Sequence, residues 1–289
     1  MRRPIAMVLL LSLLACRPGA APADDPPAAT PQAEEARAAA ASELAKTQAG
    51  LFRIDLEGDS KGAAVLQPDS LLQWSNPVAG SIHGSVFVWT DRGCPAAAAS
   101  IYKWFSPNTH LGIELHALRP GIASADRKGR RVWTPGKVEM ERKPIPGAPS
   151  PADSPEARLR QIRALARDFS ASETTRADIT RELRLLTRPI YRYQSTDPDV
   201  SDGALFAYVE GTDPEILLMI EARRDGGGGP EWRFAAARMN SLSLRLSLKN
   251  REVWAAPMVP WGQARNHNQP YTLLMYGSDP GMTFDDPNY

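Results

Sequence analysis

Residues 202–254 begin DGALFAYV and end REVW, and they enclose the segments EILLMIEA (215–222), WRFAAAR (232–238) and LSLRLSL (242–248). In the last segment every second residue is leucine, which places the leucines on one face of a strand and the polar residues on the other. Residues rich in Gly, Pro, Asp and Asn separate the segments and are typical of hairpin turns. This stretch predicts four or five antiparallel strands joined in sequence, a β-meander.

An earlier stretch repeats this pattern. Residues 84–89 (GSVFVW) correspond to residues 203–208 (GALFAY) at an offset of 119, and the same offset pairs Trp74 with Tyr193. Residues 128–133 (KGRRVW) correspond to residues 249–254 (KNREVW) at an offset of 121. Gly and Asn, at the second position of this pair, are the residues that best tolerate a left-handed turn. The correspondence predicts a tandem duplication, and the alternative is a chance likeness between two hairpin sequences.

Helical patterns precede the strands of each half. Residues 34–46 are rich in Ala with interleaved charges, and Ser154-Pro155-Glu156 has the composition of a helix start. We expect the arginines of this second helix to form a solvated face, and the alternative is that they bind an anionic lipid surface or a polyanion. A further short helix is predicted through Ile179, Leu183 and Leu186.

These elements predict an α+β fold of two tandem repeats, each a helix followed by an antiparallel β-meander. The predicted repeats span residues 46–143 and 156–276. A linker at 144–155, rich in Pro, Ala and Ser, joins them, and a loose tail follows at 277–289. A single β-sandwich or barrel formed from both halves is the alternative.

The N-terminus has the composition of an export signal. Arg2 and Arg3 precede an apolar run at residues 5–14 that is too short to span a bilayer. The run ends in LLAC (13–16), which resembles the lipobox of bacterial lipoproteins. The resemblance implies a signal peptide at 1–15, a diacylglyceryl group on Cys16, and a tether over 16–45 rich in Ala and Pro.

This likeness further implies an exported protein held in the cell envelope through a lipid anchor, with the membrane as a partner. Arg17 follows the cysteine, where Asp would imply retention in the inner membrane, so the outer membrane is expected. An ordinary secretory signal cut near Ala20 or Ala23, giving a soluble secreted or periplasmic protein, is the alternative.

The strand and turn residues at 202–209 and 211–215 also resemble a group of uncharacterised exported proteins of planctomycete bacteria. The likeness covers residues 191–254 and, more weakly, the first repeat. It implies neither an activity nor a cofactor nor any site residue.

Composition excludes one class of partner. The chain has 289 residues, 43% of them hydrophobic, and a formal net charge of +1, so it offers no electrostatic case for binding nucleic acid. Cys94 is the only cysteine besides Cys16, and lipidation of Cys16 would leave it without a disulfide partner. We expect Cys94 to be a small residue at a turn.

A few residues are candidates for chemistry. Glu114 and His116 lie on the polar face of a predicted strand and could share a metal ion with a third ligand such as His83, although a solvated strand face explains them better. The same three residues are the candidate polar groups of a small-ligand site. Trp89 and Tyr208 occupy matched positions and could line a shared cleft, stacking on sugar rings or an apolar ligand. The alternative to a shared cleft is that these two aromatic residues are buried in the cores of two related sheets.

No nucleophile or phosphate-loop motif is present, and the sequence predicts no metal and no cofactor. The function predicted is a non-enzymatic envelope lipoprotein acting as a binding or structural module for envelope proteins or polysaccharide. The alternative is a ligand-binding or hydrolytic domain with its site in the concavity of a curled antiparallel sheet.

Overall fold

The computed structural model describes residues 30–58, 62–224 and 229–277. The signal peptide, Cys16 and most of the tail lie outside these ranges. Within them the chain forms three helices, α1 (Pro31–Gly50), α2 (Pro155–Ala166) and α3 (Trp261–Ala264). Thr30 and Ser154 cap the two long helices by accepting hydrogen bonds from the backbone N–H groups of Ala33 and Ala157. The helix start predicted at Ser154 is therefore confirmed.

The strands of the first half follow α1. They are β1 (Phe52–Leu56), β2 (Gly62–Ala63), β3 (Val65–Leu66), β4 (Leu72–Ser75), β5 (Ser81–Asp91), β6 (Cys94–Ser106), β7 (His110–Ala117), β8 (Ile122–Arg127), β9 (Arg130–Trp133) and β10 (Lys143–Pro144).

The strands of the second half follow α2. They are β11 (Phe169–Thr174), β12 (Thr180–Leu185), β13 (Tyr191–Tyr193), β14 (Val200–Glu210), β15 (Asp213–Arg223), β16 (Glu231–Arg238), β17 (Ser243–Leu248), β18 (Arg251–Ala256) and β19 (Tyr271–Gly277).

The described strands form three antiparallel sheets. Their orders are β2-β1-β8-β9, then β19-β7-β6-β5-β3 with β4 beside β5, and β10-β16-β15-β14-β12-β11-β17-β18 with β13 beside β14. The fold is therefore mostly antiparallel β, rather than the α+β fold that was predicted. The three described helices contain far fewer residues than the described strands.

The predicted meander is correct for β14, β15 and β16 and for the hairpin of β17 and β18, but it is broken between β16 and β17. β17 pairs with β11, with Leu248 opposite Phe169, and not with β16. The free edge of β16 is occupied instead by β10, where Lys143 lies opposite Phe234. The leucine alternation predicts a strand correctly but carries no information on its partner.

The helix predicted through Ile179 and Leu183 is wrong, because these residues belong to a hairpin and to β12. Asp178 has a φ of +59° at the turn, and the backbone N–H of Thr175 donates to the carbonyl of Ile179. The tether was also placed too far along the chain, since α1 begins at Pro31 and buries Ala41 and Ala45.

Three hydrophobic clusters hold the sheets together. One packs α1 against the first half, through Ala45, Ala49, Phe87 and Trp89 among others. A second packs α2 against the second half around Ile162. The third lies between the halves and joins, among others, Val86, Val88, Leu205, Leu217 and Met219. The two halves thus share a buried apolar interface in addition to their own cores.

Within the described ranges, none of the helices combines the length and the apolar character needed to cross a bilayer.

Candidate functional site

The structure places His83 on the face of the six-stranded sheet that contacts α1. Its Nε2 lies 3.0 Å from Oε2 of Glu34, and the hydroxyl of Ser81 donates to the same carboxylate. His83 therefore attaches the first turn of α1 to β5.

Glu114 and His116 lie on the opposite face of the same sheet. They alternate along β7 with Ile113 and Leu115, which belong to the core around α1, so their side chains face the second half of the chain. The hydroxyl of Tyr271, on β19, donates to Oε1 of Glu114 at 2.6 Å. The structure thus brings Glu114 and His116 together and leaves His83 on the other side.

No group of three or more His, Cys, Asp or Glu side chains with metal-binding geometry occurs among the residues that the structure describes. The buried Cys94 donates its thiol hydrogen to Ser195, and burial raises the pKa of this thiol to about 11. It is a protonated thiol at neutral pH.

Trp89 and Tyr208 do not share a cleft. Trp89 is buried in the core around α1, edge-on to Phe52, whereas Tyr208 is buried in the core around α2. The two matched aromatics are therefore core residues of their respective halves, the alternative that the sequence left open.

A cavity of about 540 Å³ opens where β7 and β19 meet the end of β16. We call it the Arg238 cavity. It is lined by His116, Arg238, Val259, Gln263, Asn266, Gln269, Pro270 and Tyr271. Both halves contribute to its wall, together with the segment between β18 and β19.

Arg238 is the main electrostatic feature of this wall. The residue is only 6% exposed, its Nη2 donates to the carbonyl of Pro257 at 2.6 Å, and its guanidinium lies 5.6 Å from the ring centroid of Tyr271. Its Nη1 has no hydrogen-bond partner among the described residues, and no carboxylate there lies within ion-pair distance. Burial lowers the pKa of Arg238, yet the group stays cationic.

Three other largely inward-facing arginines among the described residues are paired with carboxylates. Nε of Arg142 lies 2.7 Å from the carboxylate of Glu221, and Arg158 and Arg192 share Asp202 at 2.8 and 2.7 Å. A buried charge without such a partner costs several kcal/mol of folding free energy. Arg238 has no such partner among the described residues, and it lines a cavity.

His116 lies beside this charge as a neutral side chain. Burial lowers the pKa of His116 to about 3, and the charge of Arg238 acts in the same direction. Its Nδ1 has no hydrogen-bond partner among the described residues. With the exposed amides of Gln263, Asn266 and Gln269, the wall offers several hydrogen-bond donors around one cation.

Carboxyl groups behind the cavity do not neutralise Arg238 fully. Burial raises the pKa of Glu114 to about 8, so this group is largely protonated at neutral pH. Burial, and then repulsion by neighbouring carboxyls, raises the pKa of Asp213 to about 7 and that of Glu215 well above its usual value. Asn240 donates to both Glu215 and Glu173. The site therefore presents a cation to the cavity and keeps its acids behind it.

Sequence reasoning identified Glu114 and His116 but missed Arg238 and Tyr271. The one local signal was the arginine that ends the run WRFAAAR, since an inward-facing charge in an apolar strand is uncommon. Nothing in the spacing of residues 116, 238 and 271 indicates that they meet, because their strands are joined only through the tertiary fold.

No protein-family model, no curated protein and no solved structure matches this chain. By its fold and site it is a mostly antiparallel β protein with a polar, cationic cavity between its two halves.

Proposed function

We propose that this protein is a non-enzymatic binding module and that its ligand is a small anionic molecule held in the Arg238 cavity. The observation that carries the proposal is the buried guanidinium of Arg238, which faces this cavity without a carboxylate partner among the described residues. A ligand carboxylate or phosphate on Nη1 would supply the missing acceptor and counter-charge. The neighbouring amides would fix its orientation.

The module is proposed to sit in the cell envelope, anchored through Cys16 in the outer membrane rather than the inner, with envelope proteins or polysaccharide as further partners. The support is the lipobox at 13–16 and the basic and apolar residues before it. The described residues begin with the cap of α1 at Thr30, and residues 17–29 lie outside them, within the tether that the sequence predicts.

We further propose that the two halves arose by tandem duplication. The pairings β4-β5-β6-β7 and β13-β14-β15-β16 follow the same order, as do β1-β8-β9 and β11-β17-β18. Gly84 and Gly203 correspond at the offset of 119, and an added Cβ at each would overlap an aromatic ring, of Trp74 in one half and of Tyr193 in the other.

The edge strands of the halves support the same proposal. β10 follows the first half in sequence and joins the sheet of the second beside β16, whereas β19 follows the second half and joins the sheet of the first beside β7. An exchange of edge strands between two related units explains both placements.

Acid–base chemistry in the same cavity is a second candidate, favoured by one observation. Tyr271 connects Glu114, a carboxyl with a pKa of about 8, to the cavity wall. A histidine with a pKa of about 3 is a weak base, so His116 gives this candidate little support. Turnover of an envelope substrate that is lost in Glu114→Gln would favour it over binding alone.

Native mass spectrometry of the protein extracted in detergent from its own membrane tests the proposed function. We expect a non-covalent small-molecule adduct on the native chain, and its loss from Arg238→Gln. Arg233→Gln is the matched control, because Arg233 lies on the same strand but bonds to Glu231. If Arg238→Gln does not fold, Gln263→Ala and Asn266→Ala on the exposed rim should weaken the adduct instead. No adduct, or one that these variants leave unchanged, would refute the proposal.

A further inference from the structure

A second cationic pocket lies at the hairpin between β8 and β9, and its volume is about 250 Å³. We call it the β8–β9 pocket. It is lined by Arg127, Lys128, Arg130, Arg131, Val132, His267, Leu274 and Tyr276. It shares no lining residue with the Arg238 cavity, and none of the described residues that line it is acidic.

Arg127 forms the floor of this pocket. It is only 4% exposed, its Nη2 donates to the side chain of Gln48 near the end of α1, and its guanidinium stacks 4.4 Å from the ring centroid of Tyr276. Its Nε has no hydrogen-bond partner among the described residues, and no carboxylate there pairs with it. A helix and a strand thus hold a buried guanidinium in a fixed orientation with one N–H group unused.

The rim above Arg127 adds further positive charge. Lys128 and Gly129 have φ values of +50° and +76°, which fits a type I′ turn that keeps the hairpin tight. The side chains of Lys128, Arg130 and Arg131 are exposed on it. Asp126 pairs with Arg131 at 2.5 Å, so one charge of the rim is partly neutralised. Lys128 and the buried Arg127 remain as cations of this pocket.

The corresponding hairpin of the second half lacks this arrangement. Leu248 stands at the position of Arg127, and Glu252 at that of Arg131. Lys249, at the position of Lys128, lies 3.3 Å from a carboxylate oxygen of Asp168. A hairpin of this shape therefore forms without the cluster, so the turn does not need the positive charges of the β8–β9 pocket.

We propose that the β8–β9 pocket is a binding site for a phosphate group, free or carried as an ester on a lipid headgroup. A tetrahedral oxyanion can accept hydrogen bonds from several N–H donors at once, and arginines give it donors of fixed geometry. The guanidinium of the buried Arg127 would bind one oxygen, and Lys128 on the rim would neutralise part of the remaining charge. The pocket is independent of the anion proposed for the Arg238 cavity.

Isothermal titration calorimetry of the full chain with inorganic phosphate at low ionic strength tests the site. We expect binding that weakens at least tenfold in Arg127→Leu, the residue that the second half carries at this position. Because Arg127→Leu changes a buried side chain, the surface variant Lys128→Gln is tested beside it and should weaken binding severalfold. Lys249→Gln, on the matched hairpin, is the control and should bind as the native chain does. No heat of binding, or binding equal in all variants, would overturn the proposal.

A second arm separates the two sources of phosphate. The full chain carrying Cys16→Ser, which removes the predicted acylation site, is mixed with phosphatidylglycerol vesicles and sedimented. Sedimentation that depends on Arg127 and is competed by inorganic phosphate assigns the pocket to a lipid headgroup. Binding of inorganic phosphate without sedimentation assigns it to a soluble phosphate. Sedimentation that is indifferent to Arg127→Leu and Lys128→Gln, without phosphate binding, would contradict the site.

Discussion

Arg142 buries its guanidinium beside the carboxylate of Glu221, whereas Arg238 buries one beside a tyrosine ring and a neutral histidine. The first arrangement compensates the charge within the fold. The second leaves a cation without a carboxylate partner in a residue that lines a cavity, and such a charge destabilises the fold unless a counter-charge is bound beside it. At the scale of single residues, this contrast is the physical basis of the proposed binding site.

Glu114 is expected to make the stability of the fold depend on pH. Its pKa rises from an ordinary value of 4.5 to about 8, so the folded state binds more protons than the unfolded state between these limits. The stability that Glu114 contributes through these bound protons is fully present below about pH 4.5 and is lost as pH rises through 8. Glu114→Gln keeps an oxygen for the Tyr271 hydroxyl and should make the chain more stable than the native one above pH 8, by up to a few kcal/mol.

Urea denaturation of the native chain and of Glu114→Gln at pH 5 and pH 8.5 measures this effect. His116 acts in the opposite direction, because its lowered pKa removes stability as pH falls below 6.5, but it is present in both chains. Glu43→Gln, at an exposed position on α1, is the control. An equal difference in unfolding free energy at both pH values would show that Glu114 does not titrate as described.

Gly203 is a second residue whose substitution should have a clear effect on the stability of the fold. A Cβ there would overlap the ring of Tyr193, whose hydroxyl donates to the buried Glu221 and holds the ring in place. Gly203→Ala should therefore destabilise the fold by roughly 1–3 kcal/mol, since the interior cannot yield freely. Gly262→Ala, with open space around its Cα, should be close to neutral. Thermal denaturation of the two variants measures this difference in stability. Equal melting temperatures would contradict the predicted overlap of a Cβ at residue 203 with the ring of Tyr193.

At the scale of elements, α2 is held to its sheet by a buried charge cluster. Arg158 of α2 and Arg192 of β13 both contact Asp202 of β14, which is fully buried. The arginines of α2 were expected to form a solvated face, and Arg158 does not belong to one. An amphipathic pattern shows which residues are apolar. It does not show that a single charged residue of the helix points inward, because the residue that pairs with it lies on another element.

Asp202→Asn tests how far this cluster stabilises the attachment of α2. Removing one charge leaves two arginines without their counter-charge, so we expect a loss of roughly 3–5 kcal/mol in unfolding free energy. Asp168→Asn, which breaks only the half-exposed pair with Lys249, should cost less than about 1 kcal/mol. Guanidinium denaturation followed by tryptophan fluorescence measures both. A similar cost for the two variants would contradict this role of Asp202.

Much of the element level followed from sequence patterns, and the limits have a physical origin. The leucines of β17 and the capping Ser154 were predicted because they depend on local periodicity and turn chemistry. The partner of β17, the strand at Thr180–Leu185 and the meeting of His116 with Arg238 were not, because each depends on contacts distant in sequence. The residues of the candidate site meet almost entirely through such contacts between parts of the chain that are distant in sequence.

At the scale of the whole molecule, the edge strands β10 and β19 make the halves dependent on each other, because each pairs with the sheet of the other half. Leu274 of β19 is fully buried in the core around α1, and Ile145, next to β10, is buried in the core around α2. Residues 30–153 and 154–277, expressed separately, should therefore lack cooperative unfolding, because the first fragment lacks β19 and the second lacks β10 and Ile145. Co-expression should restore a single transition. Two independent, cooperative transitions in the separate halves would contradict this dependence.

The most direct measurement of the proposed ligand site is a crystal structure of the protein purified from the cells that naturally produce it, without exchange into carboxylate or phosphate buffers. The predicted result is density for a bound molecule in the Arg238 cavity, with an acceptor oxygen about 2.7–2.9 Å from Nη1 of Arg238. A cavity filled only by water, or an Nη1 bonded to a carboxylate of the protein itself, would contradict a binding module built around this arginine.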